Sequence, residues 1–454
     1  MFYRVVVPEN EGLRRTKDMK KTKQTIAIIT AAVLALSLTA CGTASNNNTG
    51  NQPGGNAPGG DQSSSTVTAT GATTFDSNAE ESGKTYSSTT ADQVAVLATN
   101  GATVSLTGAT ATKSGDTTTQ DGSNFYGTNS AILANDGASL TVSGATITTD
   151  ASGADGAFAN GDGTTLTISD SKITTSSDNS GGIDCTGGAV INASDLTINT
   201  TGASSAAIRS DRGGGTVTVT GGTYTTAGSG SPAIYSTADI TVSDATLTAT
   251  GAEAMVIEGK NSITLSNCTV SGNMATGQDA SDNTQNIMLY QSTSGDADTG
   301  TASLSVTGGS IVANSGDMIY VTNTSAKVYL EDVDLTLADG VLLKVSGNSS
   351  SRGWGTQGSN GGTLEFTTKN QALEGEIIVD DISSLTMAMT STSFKGCINT
   401  AKSSGTVNVT MDAASSWTLT ADSYVTSLTD ADASYANINA NGFTLYVNGV
   451  ATVK

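Results

Sequence analysis

The chain has 454 residues and a formal net charge of −21, from 20 Lys and Arg against 41 Asp and Glu. That excess of carboxylates repels phosphate backbones and anionic headgroups, which argues against nucleic-acid partners and against a basic membrane patch. Histidine is absent, which removes Ser-His-Asp and Cys-His nucleophiles, His general bases and His-ligated zinc.

In chain order, the first element is an address. From Met19 the sequence runs "MKKTKQTIAIITAAVLALSLTACG", with Lys20, Lys21 and Lys23 ahead of an apolar run from Ile26 to Leu36. The run is too short, and wrongly flanked, for a stable membrane span. It ends in Leu38-Thr39-Ala40-Cys41-Gly42, which resembles the lipobox of bacterial lipoproteins. That resemblance implies removal of residues 19–40, diacylglycerol on the Cys41 sulfur and attachment to a membrane through the lipid. Residues 1–18 make a poor signal start and read as an upstream extension outside the mature protein.

Residues 41–65 continue as "CGTASNNNTGNQPGGNAPGGDQSSS", where Pro53 and Pro58 are the only apolar side chains after Cys41 larger than Ala. This composition makes a flexible tether. Residues 1–40 hold seven of the Lys and Arg and three of the Asp and Glu, so the remainder carries about −25.

From residue 66 onward the chain is Gly-, Ser- and Thr-rich, a composition often associated with disorder. Val, Ile and Leu nevertheless recur at fixed places, and repeats take precedence over domain counting. Aligned on a corner residue, the units fall at Gly71, Gly108, Gly144, Asp170, Ala193, Gly221, Asp244, Asn267, Gly308 and Asp332, with weaker copies at Thr368, Met389 and Met411. Many steps are 22–28 residues, and those of 36–41 carry insertions such as "MATGQDASDNTQN". Four before the corner runs a ladder including Val104, Leu140, Leu166, Val217, Ile240 and Ile263. Two before it runs another, including Leu106, Val142, Ile191, Val219, Val242 and Leu265. A small residue follows the corner, and Ile147, Ile173, Leu196, Leu247 and Val270 stand three beyond it. Alternation of period two means strands. A further strand precedes each unit, in "SAILA", "GGIDC", "AAIRS", "PAIYS", "AMVIE" and "DMIYV". Short strands repeated at this interval predict an all-β chain, a single-stranded right-handed parallel β-helix of about 14–15 coils with a C-terminal cap, filling residues 66–454.

The segments "SAAIRSDRGGGTVTVTGGTY" (205–224), "YSTADITVSDATLTATG" (235–251) and "WTLTADSYVTSLTD" (417–430) resemble right-handed parallel β-helix lipoproteins of the bacterial surface. Those proteins are adhesin-like or carbohydrate-binding. The resemblance implies a monomeric surface rod with a glycan or cell-surface polysaccharide as partner. The alternative is a lyase or hydrolase of the pectinolytic β-helix type, since one fold hosts many activities.

For that alternative the catalytic candidates are Arg209, Asp211 and Arg212 in "RSDRGGG" and the adjacent pair Asp380-Asp381. A salt-bridged turn and a solvated strand end are the plainer readings. Asp296 with Asp298, and Asp430 with Asp432, are candidate calcium ligands through clustered oxygens, although Asp also belongs in turns for its local hydrogen bonds. Cys185, Cys268 and Cys397 show no CxxC spacing, and Cys268, in the small position after a corner, reads as core filler.

Outward positions carry hydroxyls, among them Ser105, Thr141, Thr167, Thr218, Thr241 and Thr264, with Thr107, Ser143, Thr220 and Ser243 alongside. Such a double ladder suits a solvated strand, a repetitive glycan or, more rarely, ice. Tyr290, Tyr320, Tyr329 and Trp354 are the ligand-binding candidates, with Trp354 expected at the tip of the insertion "NSSSRGWGTQGSNGG", where an exposed ring can stack on a sugar. Trp417 is expected in the core of the cap.

Overall fold

The computed structural model describes residues 67–278 and 281–454. The upstream extension, signal segment, Cys41 and tether lie outside them. The described residues form a parallel β-solenoid of about 15 turns, of the right-handed type, as the repeat spacing implies. Three long sheets run along it, of 15, 14 and 10 strands, each strand pairing in parallel with its counterpart one coil on. The only helix among the described residues is Gln120–Tyr126, and none there is long and apolar enough to cross a membrane.

Inward columns build the core. Val219, Val242 and Leu265 stand in direct register in the 14-stranded sheet and are buried, while Thr218, Thr241 and Thr264 between them face solvent. Each coil leaves an inner face that only its neighbours can cover, so stacking and burial are one event.

The corners explain the Gly, Asp and Asn of the repeat. Gly108, Gly144, Asp170, Gly221, Asp244, Asn267, Gly308 and Asp332 all have φ between 50° and 69°. These residue types tolerate the left-handed region best. The corner expected at Ala193 lies two residues on, at Asp195 (φ 51°). Ala193 is an inward residue, level with Ile168 and Val219, and Ile191 moves to the column of Leu166 and Val217. Leu196 then follows the corner, and Ile198 takes the column of Ile173 and Tyr224. The same two-residue slip affects the weaker copies. Thr368, Met389 and Met411 form one inward column, and the turns come at Asn370 and Ser391, with φ of 49° and 48°. Gly71 is no corner either: it lies in a strand opposite Val94, and the first coil turns at Gly83. A slip of two residues preserves which face points inward, so the core assignment survives.

Polar groups also stack inside. Thr175, Thr200 and Thr226 donate to the carbonyls of Ser180, Ser205 and Ser231 at 2.5–2.6 Å. The Ser180 amide donates to the Ser205 hydroxyl, and the Ser205 amide to that of Ser231, both at 2.9 Å. This hydroxyl ladder satisfies backbone groups at the turn between the 10- and 15-stranded sheets. Lys113 points inward beside it, its ammonium donating to the carbonyls of Thr90, Ser114 and Gly115 at 2.7–3.0 Å. Cys185, Cys268 and Cys397 are buried free thiols. Cys268 directly follows the Asn267 corner, in the small position assigned to it. Trp417 is buried on Phe394, ring centroids 5.6 Å apart. A three-stranded sheet, antiparallel between Leu445–Val447 and Val450–Val453, follows the last coils.

Candidate functional site

The outward face of the 15-stranded sheet departs from the repeat. Its central column reads Leu97, Leu133, Phe158, Asp184, Arg209, Tyr235, Val256, Met288, Tyr320 and Lys344, each directly opposite the next. Large apolar side chains are buried there because insertions fold over the sheet. At one end the helix-bearing insertion covers Phe158: Asn160 and Thr186 donate to the Phe125 carbonyl at 3.1 and 2.9 Å. At the other, residues 346–361 lay Trp354 against Tyr290, centroids 5.0 Å apart, in a cluster with Val256, Met288 and Tyr320.

Between these covers lies an ionic stretch. The buried Arg209 guanidinium sits among three carboxylates: Nε is 3.5 Å from Asp184, Nη1 is 3.9 Å from Asp155, and Nη2 pairs closely with Asp211. Burial pushes the Asp155 carboxyl up to about 6, against the pull of Arg209. The same burial raises Asp184 well above the usual carboxylate range and also raises Asp211. Burial opposes the charge on Arg209 as well, but the carboxylates outweigh it and the guanidinium stays protonated. Three carboxyls facing one cation cannot all be ionised without cost, and protons supply the balance.

Next to it, the buried Glu258 carboxylate accepts from three hydroxyls. Tyr235 and Tyr290 donate to one oxygen at 2.5 and 2.7 Å, and Ser292 donates to the other. Burial and the neighbouring acidic groups hold both phenols well above their usual range. Arg352, exposed, stands over the Trp354 ring at 5.0 Å. Asn360 pins this loop, donating to the carbonyls of Trp354 and Asn348 at 2.9 and 3.0 Å.

These side chains border a recess of about 220 Å³ lined by Ser204, Ala206, Arg209, Asp211, Gly230, Pro232, Tyr235, Tyr290 and Arg352. A smaller one of about 90 Å³ adjoins it through Tyr235, Tyr290 and Arg352 and adds Glu253, Val256, Met288 and Trp354. Arg209 Nη1 makes no hydrogen bond and is buried on the Asp155 side of the guanidinium, 3.9 Å from that carboxyl.

The structure sorts the expected site residues. Arg209, Asp211, Tyr290 and Trp354 come together at the recess. Trp354 is no exposed tip, being 7% exposed, because its loop folds back onto Tyr290. Tyr320 lies in the same cluster but is buried, its hydroxyl 3.4 Å from the Gly347 carbonyl. Tyr329 stands on the 14-stranded sheet and donates to Glu331 at 2.6 Å. Arg212 pairs with Asp296 at 2.7 Å and lies over the Phe125 ring. Asp298 pairs with Lys260 at 2.8 Å. Asp380 accepts from the Gly347 amide, and Asp381 from the Ser404 amide and hydroxyl. Asp430 accepts from the Asp432 amide, and Asp432 from the Ser434 amide and hydroxyl. Among the described residues, no three Cys, Asp or Glu side chains are grouped so as to hold a metal ion.

Asp155, Asp184, Tyr235, Glu253 and Glu258 were not foreseen as site residues. Part of the signal was present: "GIDC", "AIRS" and "AIYS" place Asp184, Arg209 and Tyr235 at the same position of successive strands, and hence in one column.

No family model, no curated protein and no solved structure matches the chain.

Proposed function

We propose that this protein is a glycan-binding solenoid, with the recess between Arg209 and Trp354 as the seat of one sugar unit. The observation that carries this is the lining itself. Aromatic walls from Tyr235, Tyr290 and Trp354 stand beside the paired Arg209 and Asp211 side chains, in a space below the ~300–1,000 Å³ of drug-sized pockets. Sugars need that pairing of ring faces with hydrogen-bonding groups. The outward hydroxyl columns of the 14-stranded sheet extend a polar surface along the same solenoid. The Cys41 lipobox supports display of this binding surface from a membrane in an adhesin-like role; Cys41→Ser should abolish incorporation of labelled acyl chain.

A second reading, hydrolysis or lyase chemistry, draws on Asp211, which lines the recess with a carboxyl raised by burial, as a general acid's would be. One experiment separates the two. Purified protein is passed over a panel of neutral, amino and acidic polysaccharides, scoring retention and released sugar together. Retention without chain shortening is expected, weakened by roughly 1–2 kcal/mol in Trp354→Ala. Turnover lost on Asp211→Asn would establish the enzyme instead.

A further inference from the structure

The charge around the recess is lopsided. Asp211 and Glu253 line it and Glu258 lies directly behind its tyrosines, while the Arg209 charge is already shared among Asp155, Asp184 and Asp211. The remaining cation of the lining is Arg352, and it stands over the Trp354 ring. The aromatic wall therefore already accepts a cation on its face, an attraction that strengthens where water is excluded.

We propose that the sugar held in this recess carries a free amine, a hexosamine unit rather than a uronate or an acetylated sugar. This rests on the glycan-binding reading above. An ammonium there gains carboxylate acceptors from Asp211 and Glu253 and a ring face from Trp354, whereas a uronate meets like charge with no uncommitted buried cation to offset it. Arg352 then acts as a resident competitor: it places a like charge against an incoming amine and occupies the ring face that the amine would use.

The test is titration of the full chain with three oligosaccharides of equal length: glucosamine oligomers, their fully N-acetylated counterparts and oligogalacturonate. Glucosamine oligomers are expected to bind at least tenfold more tightly than the acetylated set, with galacturonate weakest. Arg352 is exposed, so Arg352→Gln should fold normally. It should strengthen glucosamine-oligomer binding severalfold more than binding of the acetylated set. Equal or tighter binding of the acetylated oligomers overturns the amine assignment and leaves the glycan reading standing. A glucosamine preference insensitive to Arg352→Gln also overturns it, since attraction to the acidic surface at large would explain that result. Binding of none of the three overturns the glycan reading itself.

Discussion

The outward faces of the two largest sheets were built by opposite means. On the 14-stranded sheet the repeat continues outward: Ser105, Thr141, Thr167, Asn192, Thr218, Thr241, Thr264 and Ser305 stand level in one column, open or half-open to solvent. Lys327, Tyr329 and Glu331 end that run, and Lys327–Glu365 and Lys369–Glu331 pair across coils at 3.1 and 2.7 Å. On the 15-stranded sheet the outward column changes character coil by coil, and insertions bury it. Repetition thus marks where the chain serves the solenoid, and its loss marks where a recess with distinct chemistry has been placed.

The sharpest break of this contrast is Val242→Asp. It puts an unpaired charge between Val219 and Leu265 and should cost about 5 kcal/mol or more by urea titration. Arg209→Met comes next, at about 3–5 kcal/mol near neutral pH, because it strips the cation from buried carboxyls. A loss below 1 kcal/mol would mean that the carboxyls do not depend on the guanidinium.

The third prediction concerns pH. Asp155 binds its proton more tightly folded, at about 6, than in the unfolded chain. Its contribution is therefore complete below about pH 4 and is lost as the pH rises through about 6, on the order of 2–3 kcal/mol. Asp155→Asn should flatten that part of the urea midpoint against pH; an unchanged profile would refute the proton balance. The smallest effect is Thr241→Asp on the solvated column, within about 0.5 kcal/mol. Equal destabilisation by Thr241→Asp and Val242→Asp would refute the register.

Legibility followed the same divide. Val242 and Leu265 were readable because a period of two fixes which side chains face inward. Ala193 misled because an inward position holding a small residue looks like a corner, and only pairing with Ile168 and Val219 exposes the slip. The ion cluster was only half visible: Arg209 and Asp211 are neighbours in sequence, but Asp155 and Asp184 reach them through stacking of coils. Trp354 was misplaced at a loop tip because nothing local tells that Asn360 and Tyr290 draw the loop inward.

The pairing distances have a consequence for assembly. Ile240 finds its partners at Val217 and Ile263, one coil away on either side. No strand of the three long sheets must wait for a partner at the far end of the chain. Folding can start on any adjacent pair of coils and grow outward by docking one further coil at a time. A chain delivered end first, from a ribosome or through a narrow pore, can zip up as it emerges. Loosening should likewise begin at the terminal coils and travel inward, giving amide exchange that slows coil by coil toward the middle.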